Sequence, residues 1–209
     1  PRHYIDIDVY GENPFEQVPR KWNDAVAKFS EDTLLAYGIV PWHIQTIYNR
    51  LVYAFAEKNE KYILKNASDL GHYVADAHVP LHTTLNYDGQ LTGQKGIHAF
   101  WESRLPELFS ENYDFLVGSA DYRYSVLDVA WNALAESHAA LDSVLAIEKL
   151  LSNSFVQDQQ YAYEKRGQQT IKVKSAAFSE AYHEKLNGMV ERRLRKSVKT
   201  IGDLWYSAW

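Results

Sequence analysis

Two pairs of side chains, each four residues apart, set the tightest limits on how this chain can fold. They are His72 and Asp76 in GHYVADAHVPLH, and His98 and Glu102 in IHAFWE. On a helix, residues four apart lie one above the other on the same face. Each pair therefore calls for a helix that presents both side chains to one point. The first pair stands among Ile63, Leu64, Ala67, Leu70 and Val74, apolar positions at helical spacing. That pattern predicts a helix over 61–79 with His72 and Asp76 pointing inward, close to its apolar face. Pro80 should end this helix just before His82.

The rest of the chain reads the same way. Residues 20–37 repeat apolar positions at helical spacing, and Gly38 follows as a stop. Pro41 opens a helix running to about 58, with Ile44, Ile47, Leu51, Val52 and Phe55 on one stripe. Residues 83–96 read as a loop rich in Asn, Asp, Gly and Thr, and 97–109 as a second ligand helix. Long helices are expected over 121–152 and 175–206. The polar stretch 157–170 suits either loop or helix, and 171–174 is the best strand candidate. No repeat of fixed period is present. The expectation is one all-α domain over 1–209, a multi-helix bundle. Gly71 inside the ligand helix costs about 1 kcal/mol relative to Ala, which a neighbouring helix or a ligand packed close to it would explain.

Chemistry enters through the donor set. One His-x-x-x-Asp on a helix is ordinarily a hydrogen-bonded surface pair. Here two such pairs are joined by a Pro-ended turn that carries His82. Three imidazoles and two carboxylates lie within 31 residues. This is the borderline ligand set that zinc favours, and five ligands suffice for more than one ion. A buried carboxylate beside a buried imidazole is costly unless paired or metal-bound. The other histidines are read differently. His78 lies on another helical face and is expected to be hydrogen-bonded. His43, His138 and His183 lack partners at ligand spacing. Glu180-x-x-His183 is the single Glu-x-x-His, where a di-iron bundle needs two.

Composition sets outer bounds. At 209 residues the chain can bury a sizeable core. Net charge is −5 without a long basic run, which argues against stable binding of duplex DNA. Bound zinc would still supply local positive charge for a phosphodiester. There are no cysteines, so thiolate zinc sites are excluded. No apolar run is long enough to span a membrane. Aromatics make up 14% of the chain, with 15 Tyr and 6 Trp. Core packing accounts for this, or a ring-lined site, with Tyr73, Tyr87 and Trp101 nearest the ligand motifs.

At these motifs the chain resembles the superfamily of bacterial zinc-dependent phospholipases C and single-strand-specific zinc nucleases. Its pattern is His-x3-Asp, x5-His, a loop of variable length, then His-x3-Glu or His-x3-Asp. Here those positions are His72, Asp76, His82, His98 and Glu102. An upstream His-aromatic-aliphatic-Asp element is matched by His3-Tyr4-Ile5-Asp6. The resemblance covers residues 1 to about 110 and implies an α-helical bundle that holds three zinc ions and hydrolyses phosphoric esters. By resemblance, His3, His72 and Asp76 bind the first ion. His82, His98 and Glu102 bind the second, and Asp76 also reaches the third. Asp6 matches an Asp near the nucleophile, so Asp6 and Asp76 are the catalytic candidates. The implied partner is a phosphodiester, either a phospholipid headgroup or a single-stranded nucleic acid, and the implied location is outside the cytoplasm.

The interval between His82 and His98 holds 15 residues, without the Gly-Gly-Asn element of the nucleases, and the last ligand is Glu. Both points favour a phospholipase C-like activity over a nuclease. A helical domain merely braced by zinc stands as the non-catalytic alternative. The family's N-terminal Trp, a following His and a further Asp have no counterpart here. The expectation is therefore a fragment that lacks those ligands, holds fewer than three zinc ions and is inactive alone.

Overall fold

Glycine, proline and polar capping residues divide the chain into its elements. The computed structural model describes all 209 residues. In chain order these are α1 (Pro14–Gln17), α2 (Trp22–Phe29), α3 (Glu31–Tyr37), α4 (Val40–Ala56) and α5 (Glu60–Ala77). Then come α6 (Ile97–Ala99), α7 (Leu105–Phe109) and α8 (Val126–Ser154). A hairpin of β1 (Tyr161–Arg166) and β2 (Gln169–Lys174) precedes α9 (Ala176–Lys185) and α10 (Met189–Ala208). The chain is thus mostly helical, with one two-stranded antiparallel sheet. No helix is long and apolar enough to cross a membrane.

Local chemistry explains where the elements depart from the sequence pattern. The expected helix over 20–37 is two helices, broken at Ser30, whose φ is +69°. Its hydroxyl accepts from the Thr33 amide at 3.3 Å and so caps α3. The helix over 175–206 is also two, divided where Asn187 and Gly188 take φ of +49° and +72°. Consecutive left-handed residues cannot continue a right-handed helix. The long helix over 121–152 starts later, at Val126. The polar stretch 157–170 contributes a strand and its turn. Gly167, with φ +62°, occupies the first of two turn positions between the paired Arg166 and Gln169.

The residues fall into two units. The first comprises Pro1–Leu85, Phe115–Ala139 and Arg193–Trp209. Its core holds Ile5, Ile7, Leu34, Ile44, Leu51, Leu70, Val74, Trp131 and Leu204. Burying Leu70 or Val74 contributes roughly 1.5–3 kcal/mol each. Leu64 and Val52, read as part of the apolar stripes, are exposed. The second unit comprises Asn86–Asp114 and Ala140–Arg192. Its centre is Phe100, stacked on Tyr182 at 4.9 Å, with Phe178 beside it. The Tyr182 hydroxyl donates to the Val144 carbonyl at 2.8 Å.

Gly38 fixes the N-terminal segment of the first unit. A Cβ there would lie 2.2 Å from the Tyr4 carbonyl oxygen, and its φ is +97°. Only glycine lets the two backbones approach this closely. Around it, Asp6 N donates to Tyr37 O at 2.7 Å and Ile39 N to Pro1 O at 2.7 Å.

Gly71 behaves otherwise. A Cβ built there would meet Trp205 at 3.7 Å and Ile201 at 3.8 Å, ordinary van der Waals distances. The neighbouring helix α10 therefore leaves room for a methyl group. Gly71→Ala is expected to stabilise the protein by about 0.5–1 kcal/mol, through helix propensity. An unchanged or lower denaturation midpoint would show that α10 needs the glycine.

Candidate metal centre

His82 stands on a turn that the local sequence dictates. Val79 precedes proline and is extended, with ψ +120°. Pro80 then opens a single 3₁₀ turn, Pro80–Thr83. Thr83 Oγ1 donates to Pro80 O at 2.7 Å and closes the turn. The Ile5 amide donates to the His82 carbonyl at 2.9 Å. Asp8 accepts from Thr84 Oγ1 at 2.7 Å and from the Leu85 amide at 3.0 Å. The segment that carries His3 and Asp6 is thereby tied to the turn that carries His82. The two imidazoles meet edge-on, with ring centroids 5.4 Å apart. His82 is buried, whereas His3 is exposed.

The end of α5 is anchored from its other side. Its terminal carbonyls need donors from outside the helix. Ser137 Oγ donates to Ala77 O at 2.7 Å, and Arg193 Nε donates to His78 O at 3.0 Å. His78 itself is buried, its Nδ1 2.7 Å from Val74 O. Burial pulls its pKa down to about 4, so it is neutral at pH 7. This bears out its reading as a hydrogen-bonded residue.

On α5, His72 Nε2 lies 3.4 Å from Asp76 Oδ2, as the spacing predicts. The two differ in exposure, however. Asp76 is buried and His72 is largely exposed, with 65% of its side chain open to solvent. The expectation that both point inward is therefore corrected for His72. One step of four residues turns a side chain about 40° around the helix, enough to move His72 to the rim of the apolar face.

The second unit presents His98 and Glu102. Their Nε2 and Oε2 atoms are 2.8 Å apart, both part-buried. The helix between them departs from the α form, with Phe100–Arg104 in a π turn where Leu105 N reaches Phe100 O. Pro106 explains this. It has no N–H to give the Glu102 carbonyl, and its ring would clash with that oxygen in a regular helix. Such π turns recur at functional sites. The Tyr87 ring lies 6.3 Å from that of His98.

Of the candidate ligands, His72 and Asp76 in the first unit and His98 and Glu102 in the second each form an imidazole–carboxylate pair on one helical face. An imidazole and a carboxylate presented to one point are two of the three protein ligands that a catalytic zinc site takes. The remaining histidines serve packing. His43 lies against Tyr73 at 4.5 Å and has its pKa lowered to about 4, first by burial and then by Arg2 and Arg50. His138 Nδ1 is 3.1 Å from Thr83 Oγ1, and His183 Nε2 is 2.8 Å from the Tyr113 hydroxyl.

Asp6 is buried, and its carboxyl is pushed up to about 6, first by desolvation and then by the Asp8 carboxylate. Unfolded, it titrates near 3.8. Between these values the folded state holds a proton that the unfolded state has lost. Stability should therefore fall as pH rises from about 4 to 6, and the loss from this group is complete above that. Asp6→Asn removes the ionisation. In metal-stripped protein it is expected to gain roughly 1–3 kcal/mol at pH 7 and little at pH 4. Urea titrations at both pH values test this. An equal effect at both would show that ionisation of Asp6 is not the cause.

Comparison of the chain with protein-family models, with curated proteins and with solved structures gives no match.

Proposed function

We propose that this chain belongs to a zinc-dependent phosphoric-ester hydrolase, with phosphodiesters of the phospholipase C kind as its substrate class and a helical bundle of that type as its fold. The observation that carries the reading is the His98–Glu102 pair, an imidazole nitrogen and a carboxylate oxygen 2.8 Å apart on one helical face; His82, His98 and Glu102 are proposed as the ligands of one zinc ion. The donor types suit zinc: imidazole nitrogens and a carboxylate, with no thiolate. The zinc ion supplies Lewis acidity to the phosphoryl group.

The chain's own residues supply the rest. His82 has its backbone held by the Ile5 amide on its carbonyl and by the 3₁₀ turn. His98 and Glu102 hold one another at 2.8 Å, which fixes the carboxylate before any ligand arrives. Asp6, poised near pH 6, is the group able to hold or release a proton close to neutrality. Asp76 and His72, with His3, are proposed as ligands for further zinc.

The test is an assay of the protein with a chromogenic phosphorylcholine ester and with single-stranded DNA, before and after EDTA and after zinc is restored. Hydrolysis of the ester that EDTA removes and zinc restores is expected. Cleavage of the DNA alone would move the protein to the nuclease reading. Bound zinc without hydrolysis of either would leave the metal a structural brace and overturn the proposal.

A further inference from the structure

The second unit contains a cavity of about 750 Å³ between the hairpin, the Phe100–Arg104 turn and the end of α8. Its charge is uneven. Six of the unit's nine Lys and Arg side chains line it, and only one of its twelve Asp and Glu. In a unit with more acids than bases, that concentration is not a reflection of composition.

The lining divides into two groups. Arg104, Arg166 and Lys174 are paired, with Glu164, Glu107 and Glu148 respectively. The one lining carboxylate, Glu148, is spent inside the protein. It accepts from Gln94 at 2.6 Å, Ser152 at 2.7 Å and Lys174 at 2.9 Å. It presents no uncompensated charge to an incoming anion. The other three basic lining residues, Lys95, Lys149 and Lys172, take no part in these ion pairs. Lys172 is held in place, with its Nζ 3.9 Å from the centre of the Tyr161 ring. It shares a strand face with Lys174, two residues on.

We infer that this cavity binds a small molecule carrying two or more phosphate groups. Three uncompensated ammonium groups around a low-dielectric wall focus a positive potential on the space between them. The volume lies in the range of cavities that take whole small molecules, well beyond a single phosphate. No residue of the proposed zinc site takes part, so the two readings fail or stand separately.

Inorganic pyrophosphate is the probe, titrated calorimetrically into EDTA-stripped protein in about 0.15 M salt so that bound metal is not the receptor and surface charge is screened. Saturable one-to-one binding is expected, weakened at least tenfold by Lys149→Glu and by Lys172→Glu. Both side chains are exposed, so the fold should survive. Lys185→Glu, the same charge change on α9 away from the cavity lining, should leave binding intact. Parallel titrations with ADP and with inositol 1,4-bisphosphate separate a nucleotide from a lipid headgroup as the source of the diphosphate chemistry. Absence of pyrophosphate binding, equal binding of sulfate, or equal losses in all three variants would overturn the inference.

Discussion

Glu102→Ala is expected to abolish the proposed zinc-dependent hydrolysis, and His82→Ala to do the same. Each removes one of the three proposed zinc donors. Zinc affinity should fall on the order of 10²–10³-fold, since loss of a ligand exceeds the 10–100-fold cost of losing an outer partner. Glu102→Gln separates charge from shape. It preserves the side chain's size but not its negative charge, so zinc affinity should lie between wild type and the alanine variant. Neither His82 nor Glu102 belongs to the apolar core of its unit. The helical circular-dichroism signal should therefore persist, which distinguishes lost chemistry from lost fold. Element analysis of the purified variants, read beside turnover, decides the matter. Full zinc occupancy with full turnover in either variant would remove these residues from the site.

The ligand pairs were legible because their geometry is local. A spacing of four residues fixes His72 against Asp76 and His98 against Glu102 wherever the helices lie. Pro80 marked the end of α5 for the same reason: its effect acts on its own neighbours. The helix breaks were less visible. Ser30 and Asn187 lie inside stretches whose apolar periodicity runs on past them, so the capping signal was outweighed by the pattern. The hairpin at 161–174 escaped because both strands are largely exposed and carry Lys, Arg and Gln, and only 171–174 alternates apolar with polar. The exposure of His72 was beyond reach as well. It depends on which neighbours cover the rim of α5, and no spacing rule contains that. Asp8, Ser137 and Arg193 went unremarked although they position the ligand-bearing turn. Each acts on backbone groups far away in sequence, and a polar residue on an amphipathic helix gives no sign of such a partner.

Arg193 gives the largest expected effect on the fold. Its guanidinium is buried and makes four contacts. Nε donates to His78 O at 3.0 Å, Nη2 to Ala133 O at 3.0 Å and to Ser137 Oγ at 2.5 Å, and Nη1 to Glu136 Oε2 at 2.9 Å. Three elements, α5, α8 and α10, are joined by one side chain. Arg193→Met keeps the length and the apolar stem but leaves His78 O without its side-chain donor and Ala133 O with its α8 bond alone. Leaving a buried acceptor unsatisfied in this way costs about 1–3 kcal/mol. Glu136 is not stranded, because Lys196 also reaches it at 2.6 Å, so the penalty falls on the carbonyls. Arg193→Lys should recover only part of the loss. An ammonium carries the charge but cannot present the planar fork that serves carbonyl and carboxylate together. The urea midpoint should therefore fall in the order wild type, Lys, Met with the slope unchanged. The effect should extend to zinc, because His78 O lies four residues before His82, on the backbone that carries it into the turn. In the Lys variant, which retains most of the fold, zinc affinity should drop several-fold. A Met variant with the wild-type midpoint would show that α5 is held by its apolar face alone, and that the guanidinium only fills space.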